Sequence, residues 1–318
     1  MQSGSPRDAV ICAVAALVGV AVAAVAPPAA TKTSGPAFGA FGPQGPRLRE
    51  QLWLVPGGDA TLPLRATLFR PMDAGDERQR PLVVINHGSD AATRQAVAMP
   101  VFYWLSRWFV DRGYVVLLPQ RRGHGATGGD FVEGHDSCAD PDHYGSGMAA
   151  ADDIAGALHY MLAQPFVAPT GAIVAGVSTG GWASLALAAR NPAGVRLIIN
   201  FAGGRGGHAF GMPHAVCARE RLIAAAGALG RSARVPTLWF YAHNDSYFGP
   251  QLAADMAAAW VTNGGRADLH LLPDYGDDGH ELVADRAGWQ LWGPDLDRAL
   301  AAEGGRVARG IAGAAATW

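Results

Sequence analysis

Ser178 lies in Gly176-Val177-Ser178-Thr179-Gly180, directly behind the apolar run Ala172–Val177 and directly ahead of a helical pattern. G-x-S-x-G at a strand-to-helix junction places a serine on a strained turn, with its hydroxyl raised above the sheet edge and small neighbours that allow close approach. The helix N-terminus behind it offers amide donors and a partial positive charge to a developing oxyanion. A serine hydroxyl needs a base to attack at neutral pH. In this strand–turn–helix arrangement the partners follow in the chain order serine, acid, histidine. Downstream stand His208, His214, His243, His270 and His280. His280 falls in Asp277-Asp278-Gly279-His280, just past the last predicted strand, whereas His270 lies inside that strand and His208 and His214 fall in an irregular segment better suited to a cap. His280 is therefore the expected base. Asp245 follows the run TLWFYA at a strand's carboxyl end and is the expected partner that orients the imidazole, with Asp274, Asp277 and Asp278 as rivals by proximity to His280. An oxyanion hole needs two donors: the Thr179 amide is one, and the Ser89 amide in His87-Gly88-Ser89 is the best candidate for the other. His87 itself is read as structural.

Positioning such a set requires strands whose carboxyl ends converge. From about Gln51 onward, short β-rich runs alternate with helical patterns. Strands are predicted at Gln51–Val55, Leu64–Phe69, Leu82–Asn86, Tyr114–Leu118, Ala172–Val177, Val195–Phe201, Thr237–Ala242 and Asp268–Leu272. Several are continuous apolar runs, as strands covered on both faces must be. Helices are predicted at Gln95–Arg112, Gly147–Ala163, Thr179–Arg190, Ala215–Leu229, Gln251–Thr262 and Arg286–Ala302. This alternation implies an α/β class with a mostly parallel, doubly wound sheet of about eight strands. The first two strands are joined too closely for a crossover helix and should pair antiparallel.

Composition narrows the function classes. Charged residues make up 16% of the 318 and apolar residues 49%, which excludes a disordered chain. A formal net charge of -2 argues against a nucleic-acid partner, which needs a basic face. Ala9–Ala26 is an unbroken apolar run behind Arg7 and ahead of Pro27-Pro28, the layout of an export signal, with an uncleaved anchor as the rival. Residues 1–30 are thus read as signal or anchor, 31–50 as a Gly/Pro/Ala-rich linker, and 51–318 as one catalytic domain. Removing the signal removes Cys12 and leaves Cys138 and Cys217, which an oxidising compartment would join. The segments Gly128–Gly147 and Gly203–Pro213 follow carboxyl ends of strands and should overhang Ser178. A bridge between Cys138 and Cys217 would pin them as a small loop and helix cap.

Asn86-His87-Gly88, Arg121-Arg122-Gly123-His124-Gly125, YMLAQPFV at 160–167, GVSTGG at 176–181, FYAHNDSYFGP at 240–250 and DDGHEL at 277–282 carry a family resemblance. From about Gln51 onward the chain resembles an α/β-hydrolase, and within that superfamily the dienelactone-hydrolase-like and prolyl-oligopeptidase-like branches. Dienelactone hydrolases carry a cysteine nucleophile where Ser178 stands. A propeller domain of the prolyl oligopeptidase kind is not expected in the residues ahead of Gln51. The resemblance implies an exported serine hydrolase acting on a small carboxylic ester through Ser178, His280 and Asp245. A small secreted peptidase or amidase is the first alternative, and a non-catalytic binding protein on the same scaffold the second.

No cofactor is called for. Gly123 to Gly128 formally matches G-x-G-x-x-G, but Gly129-Asp130-Phe131 continues into a loop where a dinucleotide site needs a helix. His280-Glu281 opens like a zinc-protease motif, yet Ala284 occupies the second histidine's place, so no metal is implied. The aromatic group from Phe102 to Phe109 is read as a buried helix face, part of which could meet substrate.

Overall fold

The structure, a computed structural model, describes residues 37–73, 78–89, 92–134 and 137–314, with side chains described as far as Ala302. The apolar segment Ala9–Ala26 and the first part of the expected linker lie outside the described residues.

Nine strands form one sheet: β1 (Gly39–Ala40), β2 (Gln51–Val55), β3 (Leu64–Phe69), β4 (Leu82–Asn86), β5 (Val115–Pro119), β6 (Ala172–Val177), β7 (Val195–Phe201), β8 (Thr237–Ala242) and β9 (Ala267–Leu272). Their spatial order is β1-β2-β3-β5-β4-β6-β7-β8-β9. The β2–β3 pair is antiparallel, as its short connection requires, and β3 also meets β5 antiparallel. From β5 to β9 every pairing is parallel. The sheet has one strand more than expected, because Gly39–Ala40 pairs with Leu54 and Trp53. Two residues flanked by Gly and Pro carry no alternation to read, so the sequence places them in the linker.

The central strands are apolar throughout because each face meets helices. In β4, Leu82 and Val84 join one core while Val83 and Ile85 join the other. In β8, Trp239 and Tyr241 divide from Leu238 and Phe240 in the same way. Helices α2 (His143–Leu162), α3 (Thr179–Ala188), α4 (Arg219–Gly230) and α5 (Pro250–Thr262) cover the first face; α1 (Tyr103–Val110) and α6 (Trp289–Ala314) cover the second. Helix α1 begins eight residues later than predicted. Pro100 disfavours helix in the residue before it, and Phe102 adopts φ 33° at the helix entrance. Helix α2 begins one turn earlier, at His143, where the Asp142 carboxylate accepts from the Gly145 amide at 2.7 Å. Among the described residues, no helix is long and apolar enough to cross a membrane.

Cys138 and Cys217 form a disulfide across 79 residues of chain. It ties the segment after β5 to the segment after β7, at the sheet end where β6 delivers Ser178. Closing so long a loop restricts the unfolded chain strongly, and bridges of this kind contribute about 2–4 kcal/mol. Replacing both cysteines with serine is expected to lower the unfolding midpoint accordingly in chemical denaturation. Thiol titration of denatured protein should find neither Cys138 nor Cys217 free until reductant is added.

Candidate active site

Ser178 joins β6 to α3 with φ 56° and ψ −126°, a conformation that costs a non-glycine residue of order 1–3 kcal/mol. The surroundings enforce it. The Ser178 amide donates to the Phe201 carbonyl at 3.0 Å, and the Ser178 carbonyl accepts from Trp182 at 3.1 Å. Close approach leaves space for nothing larger than hydrogen at two positions. A Cβ on Gly180 would strike the main-chain oxygens of Asn86 and His87, and one on Gly88 would come 2.8 Å from the Ser178 Cβ.

Asp245 follows β8 and is fully buried, and His280 follows β9 with 8% exposure. The His280 Nδ1 stands 3.1 and 3.2 Å from the two Asp245 carboxylate oxygens. Asp245 Oδ1 also accepts from the Tyr247 and Phe248 amides at 2.8 and 2.9 Å, which fixes the carboxylate before it meets the imidazole. Asp278 caps the turn instead, accepting from the His280 amide at 2.9 Å and from the Ser246 hydroxyl at 2.6 Å. Asp274 pairs with the exposed His243, so neither rival takes the place next to the imidazole. Tyr247 stacks on His280 with ring centroids 4.2 Å apart, and His208 stacks on the far face of Tyr247 at 3.5 Å. His270 stays at the sheet, 2.9 Å from Asp295.

Ser178, Thr179, Ser89 and His280 all line one cavity of about 390 Å³. The Ser89 amide, expected to point at an oxyanion, donates to the Thr179 Oγ1 at 2.9 Å. The sequence names these two amides as candidate donors but carries no sign that the Thr179 hydroxyl accepts from one of them.

Comparison with known proteins finds the same fold elsewhere. A model of the prolyl oligopeptidase family matches residues 100–203, which hold β5, β6 and the Ser178 turn. The chain has the α/β-hydrolase fold. Among solved structures, dipeptidyl peptidase 4 of Porphyromonas gingivalis is 17% identical with a TM-score of 0.54, over 73% of this chain and 32% of that one. A puromycin-hydrolysing peptidase of Mycobacterium tuberculosis is 16% identical with a TM-score of 0.54, over 80% of this chain and 39% of that one. Acylaminoacyl peptidase of Pyrococcus horikoshii is 13% identical with a TM-score of 0.51, over 73% and 38%. The chain therefore spans between 32% and 39% of the length of these three proteins, and the likeness is one of fold.

The chain carries residues around Ser178 that motif reading passes over. Arg121 after β5, Glu133 in the following segment and Arg205 after β7 form a buried cluster. Arg121 holds both Glu133 oxygens, through Nε and through Nη2 at 3.1 Å, and its Nη1 donates to the His87 carbonyl at 2.8 Å. Burial alone would raise the Glu133 pKa, but the charges of Arg121 and Arg205 outweigh it and hold the carboxyl at about 2. His87 donates through Nδ1 to the Gly88 carbonyl and accepts at Nε2 from the Arg121 amide. Burial, reinforced by Arg121 and His124, pushes its pKa well below the usual histidine range, so a neutral His87 supports the loop before Ser89. The aromatic group divides: Trp108 and Phe109 are buried in the core, whereas Phe102 lines the cavity. The GHGATG stretch forms a tight loop with a His124–Gly128 bridge, and among the described residues the next helix begins only at His143.

Proposed function

We propose that this serine hydrolase cleaves carboxylic esters, with Ser178 as nucleophile, His280 as general base and acid, and Asp245 as the residue that holds the imidazole. The observation that carries the reading is the strained Ser178 in one cavity wall with a His280 whose Nδ1 faces a fully buried carboxylate. In this scheme Ser178 Oγ attacks the ester carbonyl as its proton passes to His280 Nε2. Asp245 accepts the Nδ1–H and stabilises the imidazolium. The carbonyl oxygen, now negative, lies against the Thr179 amide at the α3 N-terminus, and the Ser89 amide joins it by exchanging its bond to Thr179 Oγ1. Collapse of the tetrahedral species expels the alkoxide, which takes the proton from Nε2. Water then hydrolyses the acyl-enzyme by the same route.

Phe102, Phe131, Val177 and Val283 give the cavity an apolar wall suited to an acyl chain. The family match over residues 100–203 favours a second reading, cleavage of a peptide or amide by the same groups. Rates on p-nitrophenyl butyrate and on aminoacyl p-nitroanilides, measured in parallel with a Ser178→Ala control, separate these readings. Ester turnover far above anilide turnover is the expected result. Faster anilide cleavage would replace the ester reading with the peptidase one. Turnover of neither above the control would leave a binding protein on a hydrolase scaffold. Export is part of the proposal, supported by the Cys138–Cys217 bridge, which oxidising compartments favour.

A further inference from the structure

Arg205 stands where the scheme above has no use for it. It is 3% exposed, yet it lines the same cavity as Ser178 and His280. It sits in Gly203-Gly204-Arg205-Gly206-Gly207, the turn that follows β7, and β7 is the strand beside β6. The turn has little freedom: a side chain on Gly204 would collide with the Phe248 ring, one on Gly207 would press on Tyr247 and Phe248, and the Cys217 amide donates to the Gly206 carbonyl at 2.8 Å. Arg205 is therefore presented to the cavity by a loop pinned on one side by the ring beside His280 and on the other by the disulfide.

Its charge is not balanced. Among the described residues Glu133 is the single carboxylate within the cluster, and Arg121 already engages both of its oxygens. Two arginines against one glutamate leave one positive charge at the cavity wall. His87 and His124 do not change this sum toward neutrality, since burial lowers the pKa of both. Asp245 is committed to His280 and to two amides, and Glu281 lies at the cavity with its side chain in solvent. The hydrogen bonding is incomplete as well. Arg205 Nη2 donates to the Glu133 carbonyl, and Nη1 stands 3.5 Å from Glu133 Oε2 without hydrogen-bond geometry. Nη1 and Nε are buried donors with no acceptor among the described residues. Buried unpaired donors on a cation are costly, and a guanidinium is shaped to receive a carboxylate.

We propose that Arg205 receives a carboxylate of the substrate, so that the preferred esters are those whose acyl or alcohol part carries an acidic group. The inference rests on the ester reading for the identity of the scissile bond, but the binding of the anion can be measured without turnover. Monomethyl glutarate and monomethyl adipate serve as probes, with the matching primary amides, methyl glutaramate and methyl adipamate, as neutral isosteres. Calorimetric titration of Ser178→Ala protein should find at least one half-ester bound tenfold or more tightly than its amide. Arg205→Gln in the same background should bring the two affinities together, while Arg205→Lys, which keeps the charge and loses the fork, should retain part of the difference. In enzyme with Ser178 intact, kcat/KM for the half-ester should exceed that for the amide by a similar factor, and Arg205→Gln should remove that ratio. A purely structural Arg205 would lower both substrates together and leave the ratio unmoved. Equal binding of half-ester and amide by the Ser178→Ala protein overturns the proposal, as does a preference that survives Arg205→Gln in folded protein. If the glutamine variant does not fold, a preference unchanged in Arg205→Lys overturns it. Selective binding without methanol release would remove the ester reading and leave Arg205 in place. Release from both substrates without selectivity would do the reverse.

Discussion

Ser178→Ala is expected to bring ester turnover down to the background rate, a loss on the order of 10⁶-fold in kcat with substrate affinity retained. The size follows from the division of labour proposed for the site. Without the hydroxyl no acyl-enzyme forms, and His280 has no proton to take, so His280→Ala should cost about as much and the double variant little more. Asp245→Asn should cost roughly 10⁴-fold, for a reason specific to this geometry. The Tyr247 and Phe248 amides both donate to Asp245 Oδ1, so an amide side chain would turn its oxygen toward them. Its NH2 would then face His280 Nδ1 as a donor, which forces the proton onto Nε2 and removes the base. The measurement is kcat and KM on a p-nitrophenyl ester, with circular dichroism to verify folding. A Ser178→Ala enzyme keeping more than a hundredth of the wild-type rate would remove Ser178 from the nucleophile's place.

The placement of these three side chains at carboxyl ends of strands is legible in the sequence because each is announced locally. The apolar run of β6 ends directly before Ser178 and that of β8 three positions before Asp245, while His280 is marked by the Asp277-Asp278-Gly279 turn that follows β9. The same signals give eight of the strands within a residue or so. They fail where the determinant is not local. Gly39–Ala40 becomes a strand only because β2 presents a free edge to it. Helix α1 carries apolar spacing from Gln95 onward, but Pro100 and the left-handed Phe102 delay it to Tyr103. Arg121 and Glu133 lie twelve residues apart in the loop after β5 and Arg205 in the loop after β7, and no periodicity relates them. The one available sign was an arginine isolated among four glycines directly after a strand, a place where a long cation has no sheet or helix face to lie along.

Glu133→Gln is expected to be the most destabilising of the charge-removing changes, at about 3–5 kcal/mol, because it leaves two buried guanidiniums facing each other without a counter-charge. Arg205→Gln should cost less, since Arg121 and Glu133 still pair one to one when it is gone. The ordering separates a shared structural cluster, in which every member matters alike, from an Arg121–Glu133 pair that stands by itself with Arg205 added at the cavity. The pH dependence gives an independent check. The Glu133 carboxyl is held at about 2 against an ordinary value of 4.5, so its contribution is present in full above pH 4.5 and is lost as pH falls toward about 2. The stability difference between wild type and Glu133→Gln, measured by denaturant unfolding at a series of pH values, should therefore be constant at neutral pH and shrink steadily through that acid window. A difference that does not change between pH 5 and the acid limit would mean that the Glu133 carboxyl titrates alike in the folded and unfolded chain, so that Arg121 and Arg205 do not hold it ionised.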